Sequence, residues 1–386
     1  MRIAFYAPLK PPTHPVPSGD RRMARLLMAA LERANHRVEL ASRFRAWDGS
    51  GDPVRQQELA DMGSHLARTL VRRYRDMAAD ARPELWFTYH LYYKAPDWLG
   101  PAVADAFDIP YVVAEASHAG KRAGGQWARG HAAAVAAIAR ADAIINLNPA
   151  DIGGVTDVAQ PSVIIVMLKP FLDGADLAAA AGRREALRAA AAARYDLDPT
   201  VPWLLTVAMM REGDKHASYR VLAEALARLK SEAWRLIVVG DGPARAVVEA
   251  LFAAAAPKRV RLLGARHPEE LADIYAAADL YVWPAINEAY GMTLLEAQAA
   301  GLPVVAGASG GVPTIVAADR SGILTPPGDA DAFASAVRRL LTDGPKRRRM
   351  GEAAKETIAC EHDIAAAAAV LDRTVRDAAN RHRRLH

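Results

Sequence analysis

Short apolar runs alternate with longer amphipathic stretches along nearly the whole chain. The runs at 2–7, 36–41, 84–89, 111–114, 141–147 and 162–168 read as strands, and helical patterns at 21–34 and 53–80 separate the early ones. A second series follows at 203–208, 234–239, 260–263, 280–283, 304–306 and 323–325. Strands that alternate with helices predict parallel sheets, so the fold class is α/β. Between the two series the rhythm breaks into an alanine- and arginine-rich helix at 177–194 and the turn Asp196-Leu197-Asp198-Pro199. The domains expected are therefore 1–170 and 201–360, with a connection over 171–200 and a C-terminal helix over 361–386.

Polar residues gather where strands end. The stretch 281–311, YVWPAINEAYGMTLLEAQAAGLPVVAGASGG, is a strand–loop–helix–strand unit. Its loop spans 284–290, Gly291 lets the chain turn into a helix over 292–300, and Gly301 with Pro303 ends that helix. Glu288 lies in the loop and Glu296 in the helix, with the amides of Gly291, Met292 and Thr293 between them. These are the unpaired first donors of a helix, at the positive end of its dipole, and they suit a phosphate. The bland reading makes Glu288 a solvated loop residue and Glu296 a partner of the helix dipole.

The segment EAYGMTLLEAQAAGLPVV with the following GGVPTIV resembles the acid–seven residues–acid signature of the retaining family 4 glycosyltransferases. That resemblance implies the GT-B architecture, two Rossmann-like domains facing each other across a cleft, with the C-terminal helix crossing back to the first. It implies that Glu288 holds the transferred sugar, Glu296 the ribose, and the Gly291 and Met292 amides the diphosphate. Lys215 and Arg211, just after the 203–208 strand, correspond to the family's phosphate-neutralising pair. Ala208-Met209 stands here where the family has a glycine, and Arg211 sits closer to Lys215 than the family spacing. Gly264 and Arg266 fall in the loop that reads the base. In the first domain His118 matches a histidine beside the donor sugar, and Gly19 is what remains of a glycine-rich turn near the donor phosphates.

Composition narrows this only modestly. The 386 residues suffice for two domains, each with its own core. No apolar run reaches the length of a membrane-spanning helix, and no signal-peptide pattern opens the chain. A single cysteine, Cys360, excludes an intramolecular disulfide and fits a reducing cytoplasm. A net charge of +5 suits an anionic partner such as nucleotide phosphates or a lipid surface. Arg68, Arg72 and Arg75 share one helix face, which is either a solvated surface or a peripheral contact with anionic lipid or acceptor. No nucleic-acid-binding pattern is present.

The resemblance implies transfer of a sugar from a UDP- or GDP-linked donor to a sugar, lipid-linked or polysaccharide hydroxyl, with retention of configuration. Cell-surface polysaccharide or glycolipid assembly is the setting it suggests. No cofactor and no metal are expected. Asp329-Ala330-Asp331, which mimics a metal-binding acid pair, precedes an amphipathic run and reads as a helix cap. Gly240-Asp241-Gly242 half-matches a dinucleotide fingerprint, but Arg245 occupies the third glycine's place, which excludes a dehydrogenase. The alternatives are a GT-B phosphorylase or epimerase and a non-catalytic binder of nucleotide-sugar.

Overall fold

The computed structural model describes residues 1–16, 18–288 and 291–385. Pro17 in the first loop, and Ala289 and Tyr290 within the signature, lie outside the described residues. The chain divides into two compact units, Met1–Leu168 with Ala367–His386, and Lys169–Ala366.

The first unit is built on a parallel sheet in the order β2-β1-β3-β4-β5-β6. Its strands are β1 (Arg2–Tyr6), β2 (Arg37–Leu40), β3 (Leu85–Leu91), β4 (Tyr111–Ala116), β5 (Ala143–Asn146) and β6 (Ile164–Met167). The helices are α1 (Gly19–Arg33), α2 (Pro53–Asp76), α3 (Gly100–Phe107), α4 (Ala128–Arg140) and α5 (Ile152–Thr156). β3 and β4 are buried almost throughout, as central strands covered on both faces must be. Asp97 is buried among them and is satisfied by four donors: the Thr88 and Tyr111 hydroxyls and the amides of Leu99 and Gly100, which open α3. Burial still pushes its carboxyl above the usual range.

The second unit repeats the plan in the order β12-β11-β10-β7-β8-β9. Its strands are β7 (Trp203–Val207), β8 (Arg235–Val239), β9 (Val260–Gly264), β10 (Leu280–Trp283), β11 (Val304–Gly307) and β12 (Gly322–Thr325). In chain order its helices are α6 (Ala175–Ala181), α7 (Arg184–Tyr195), α8 (Asp214–Leu226), α9 (Arg245–Ala255), α10 (Pro268–Ala277), α11 (Met292–Ala299), α12 (Ala330–Thr342) and α13 (Gly344–Thr357). The helix predicted over 177–194 is two helices, because α6 ends at Gly182 and α7 starts afresh. Both belong to the second unit. Arg184 and Arg188 of α7 pair with Asp279, whose carboxylate also accepts the Trp203 amide at 2.8 Å, and Arg188 lies 4.0 Å over the Trp203 ring. Asp329 caps α12 by accepting the Ala332 amide at 2.8 Å, and Asp331 pairs with Arg228 at the surface.

The last helix, α14 (Ile364–Leu385), falls with the first unit from Ala367 onward. Within that unit His36 Nε2 lies 2.9 Å from Asp372, and His382 lies 3.1 Å from Asp108 and 3.2 Å from Asp142. His362, just before α14, is 1% exposed and its Nδ1 is 2.6 Å from the Pro170 carbonyl. No helix of the described residues is long and apolar enough to cross a membrane.

Burial holds His362 below its ordinary value of 6.5, and the same cause lowers His36 and His131. An imidazole whose folded pKa is depressed is protonated more readily in the unfolded chain. Its stabilising contribution is therefore complete above about pH 6.5 and is lost as pH falls below that value. His362→Asn keeps a donor for the Pro170 carbonyl but does not titrate. Melting temperature followed from pH 7.5 to 5 (about the imidazole range) is expected to fall less steeply in this variant. An unchanged slope would remove His362 from the titrating groups.

Candidate active site

The strand order reverses between β7 and β10. The chain runs β7, β8, β9 to one side of that pair and β10, β11, β12 to the other. Crevices at such reversals hold ligands at the carboxyl ends of the strands. β10 and β7 pair only through Leu280↔Leu204 and Tyr281↔Leu205. Beyond that point side chains take over: the Thr206 hydroxyl donates to the Val282 carbonyl, and the Tyr281 phenol lies 3.2 Å from the Val207 carbonyl.

Glu288, Lys215 and Arg211 come together there. They line a pocket of about 400 Å³ with Glu212, Asp214 and Asn287. The Lys215 ammonium donates to Glu288 Oε2, which also accepts the Trp283 indole N–H at 3.2 Å. The same ammonium lies 5.4 Å from the Trp283 ring centre. Both charged side chains are about one-fifth exposed, at 20% and 17%, so their orientation is set by packing. Asn287 and Ala285 adopt left-handed φ values of 50° and 55°. Their strain is offset by the Asn287 side chain donating to Asp214 at 3.1 Å and the Ile286 amide donating to Ser218 at 2.9 Å. Arg211 is exposed and makes no ion pair with the described residues.

Gly291 begins α11 with φ 69° and ψ 45°. A Cβ there would lie 2.7 Å from Leu294 Cδ1 and 3.1 Å from Ile315 Cδ1. Its carbonyl accepts the Leu294 amide at 2.8 Å, which leaves the amides of Gly291, Met292 and Thr293 ahead of the first helical acceptor. Glu296 is 5% exposed and accepts the Tyr275 hydroxyl at 2.8 Å. The two acids of the signature thus have different settings: Glu288 faces the pocket with a cation, and Glu296 lies beneath the helix end with a tyrosine.

Gly264 ends β9 at φ 74°, and its carbonyl accepts the Gly240 amide at 3.0 Å. Gly240 and Gly242 sit where a Cβ would come within 1.9 Å of the Ala208 carbonyl and 2.2 Å of the Met210 carbonyl. The half-fingerprint glycines therefore let two backbones touch, and they seat the loop that carries Arg211. Arg266 is nearby in sequence, and its Nε is buried without a hydrogen-bond partner.

In the first unit Gly19 is the first residue of α1, and Ser18 caps that helix by accepting the Arg21 amide at 3.2 Å. The His118 ring lies 5.2 Å from the His131 ring, and Arg122 lies 5.5 Å over Tyr93. Sequence reasoning missed a cluster at the β1/β3 reversal of this sheet. His90 is next to last in β3 at φ 64°, and Glu115 is next to last in β4 at φ 58°. His90 Nδ1 is 3.2 Å from Asp20 and 3.8 Å from Glu115. Burial disfavours the imidazolium, but these carboxylates outweigh it and His90 is pushed up. No periodicity signals such a cluster, because its members come from three separate segments. On α2, Arg68, Arg72 and Arg75 line a pocket of about 620 Å³ with His65 and Trp98.

Comparison with known proteins bears on the fold and on residues 204–357. The Rickettsia africae glycosyltransferase superposes with TM-score 0.74 at 15% identity over 98% of both chains. Anabaena HepE bound to UDP superposes with TM-score 0.70 at 16% identity over 97% of this chain and all of that one. The fold is that of the GT-B glycosyltransferases. Residues 204–357 match the family described as Glycosyl transferases group 1, and the second unit carries that domain. The D-inositol 3-phosphate glycosyltransferase of Corynebacterium diphtheriae is 40% identical over 166 residues, 42% of this chain and 38% of that protein. Sulfoquinovosyl transferase SQD2 of Arabidopsis thaliana is 37% identical over 125 residues, 32% of this chain and 24% of that protein. The matched stretch thus spans well under half the length of these relatives.

Gly291→Ala would place a Cβ in a left-handed position already crowded by Leu294. It is expected to destabilise the second unit by about 1–3 kcal/mol, read from urea denaturation, with the secondary structure retained. A neutral substitution would show that the turn into α11 does not need a glycine.

Proposed function

We propose that this chain transfers a sugar from a nucleoside diphosphate donor to an acceptor hydroxyl with retention of configuration. The observation that carries the reading is the pocket at the β7/β10 reversal. There Glu288, Lys215 and Arg211 line one pocket, and α11 opens at Gly291, three residues after Glu288, all within the matched residues 204–357. Lys215, Arg211 and the amides would stabilise the departing diphosphate. Glu288 accepts hydroxyls of the transferred sugar, and Glu296 accepts hydroxyls of the ribose. Gly264 and Arg266 contribute to base recognition.

No covalent nucleophile is needed. The acceptor attacks on the face that the diphosphate leaves, and the departing phosphate oxygen takes the acceptor proton. With two cations and a helix end on the phosphates, a metal is dispensable. The donor is UDP- or GDP-linked. The acceptor is an anionic or lipid-linked sugar or polyol, supported by the arginine face of α2 and by the activity for which the Corynebacterium relative is named. That face also suits peripheral contact with a membrane on its cytoplasmic side, in cell-surface polysaccharide or glycolipid assembly.

Thermal melting with UDP, GDP, ADP and dTDP, each with EDTA, tests the reading. One of them is expected to raise the melting temperature, by more as its concentration exceeds its dissociation constant. Glu296→Gln is expected to weaken that ligand by about tenfold, the size of one hydrogen bond to a charged group. No shift with any of the four at millimolar ligand would overturn the proposal. Turnover abolished by EDTA and restored by Mg²⁺ would overturn its metal-free part.

A further inference from the structure

Tyr281 lies in the middle of β10 with no solvent exposure, its ring 6.1 Å from that of Tyr275. Packing alone would be served equally by phenylalanine, yet its hydroxyl stands at the point where β7 and β10 part. Three polar groups surround that oxygen: the Val207 amide nitrogen at 3.4 Å, the Val207 carbonyl at 3.2 Å and the Thr293 hydroxyl at 2.8 Å.

A phenol has one proton to give and can also accept. If it donates to the Val207 carbonyl, the Thr293 proton is consumed in turning back to the phenol. If the Val207 amide donates into the phenol and the phenol donates to Thr293, by far the shortest of the three contacts, the Thr293 proton is left for another partner. Thr293 is the second residue of α11, so its hydroxyl belongs to the helix turn whose amides await an acceptor. An anion bound there favours the second arrangement, since only that arrangement turns a donor toward it.

We propose that Tyr281 is a positioning residue for the donor's diphosphate, holding the Thr293 hydroxyl as a further donor beside the Gly291, Met292 and Thr293 amides. The proposal rests on the nucleotide-sugar reading above. The chain of donors runs from Val207, the last residue of β7, to the first turn of α11. It therefore locks the helix end to the strand whose following loop carries Arg211 and Lys215. Burial raises the Tyr281 phenol above its ordinary range, which favours the protonated, donating form.

Calorimetric titration with UDP and GDP, each beside its nucleoside, tests this on the full chain. Tyr281→Phe and Thr293→Val are each expected to weaken the bound diphosphate about five- to tenfold, the size of one hydrogen bond to a charged group. Nucleoside affinity should not move. Thr293→Ser, which keeps the hydroxyl, should bind as wild type, and the double variant should be no weaker than Thr293→Val alone, because both changes break one chain. Wild-type diphosphate affinity in Tyr281→Phe would overturn the proposal, as would a loss shared equally by diphosphate and nucleoside. If Tyr281→Phe fails to fold, the Thr293→Val and Thr293→Ser pair decides alone. Failure of the wild-type chain to bind any nucleoside diphosphate would instead bring down the transferase reading on which this stands.

Discussion

β7 and β10 stop pairing after Tyr281 and Leu205, and the chemistry of the second unit depends on that parting. Two parallel strands that continued side by side would satisfy each other's amides and leave no room between their ends. Here Thr206 and Tyr281 bridge the widening gap with side-chain hydroxyls instead. The loops that follow the two strands then diverge, one toward α8 and one toward α11. Lys215 and Glu288, 73 positions apart, meet across the opening.

Charge is arranged in that opening before any ligand arrives. Lys215 is held by Glu288 and by the face of Trp283, so a part-buried ammonium has both a counter-ion and an aromatic neighbour. Such a pair does little for stability when the desolvation of both groups is counted. What it does provide is a defined position for each charge. On the proposed reading, a diphosphate would compete for the ammonium and sugar hydroxyls would replace it at the carboxylate. Arg211 is exposed and makes no ion pair among the described residues, unlike Lys215.

The first unit shows the same economy at its own strand reversal. His90 and Glu115 tolerate left-handed backbone conformations, which cost of order 1–3 kcal/mol each. In return His90 is turned toward Asp20 at the start of α1, where the carboxylates outweigh burial and push the imidazole up. Left-handed positions fall near the carboxyl ends of strands in both sheets, at 90 and 115 next to last in β3 and β4, and at 285 and 287 just past β10.

The alternation of apolar runs and amphipathic stretches determined the fold class, and the runs predicted at all twelve places correspond to the strands of the two sheets. A strand buried on both faces is apolar at nearly every position, which makes it legible without any partner. The acid pair, its glycine and its proline were legible for a similar reason: a turn at φ 69° and a helix stop impose residue types locally. The break at Gly182 was missed because alanine-rich sequence on both sides favours helix equally. The partners of the candidate residues were not legible at all. Glu288 with Trp283 and Lys215, Glu296 with Tyr275, Tyr281 with Thr293, and His90 with Asp20 are joined through space by strand order. Strand order follows from which apolar faces bury each other, a property of the packed sheet. By itself the sequence determined which segments become strands and which short motif turns into α11; only the tertiary structure decided which distant side chains share each crevice, because hydrogen bonds and ion pairs depend on separations of a few ångströms that no spacing along the chain encodes.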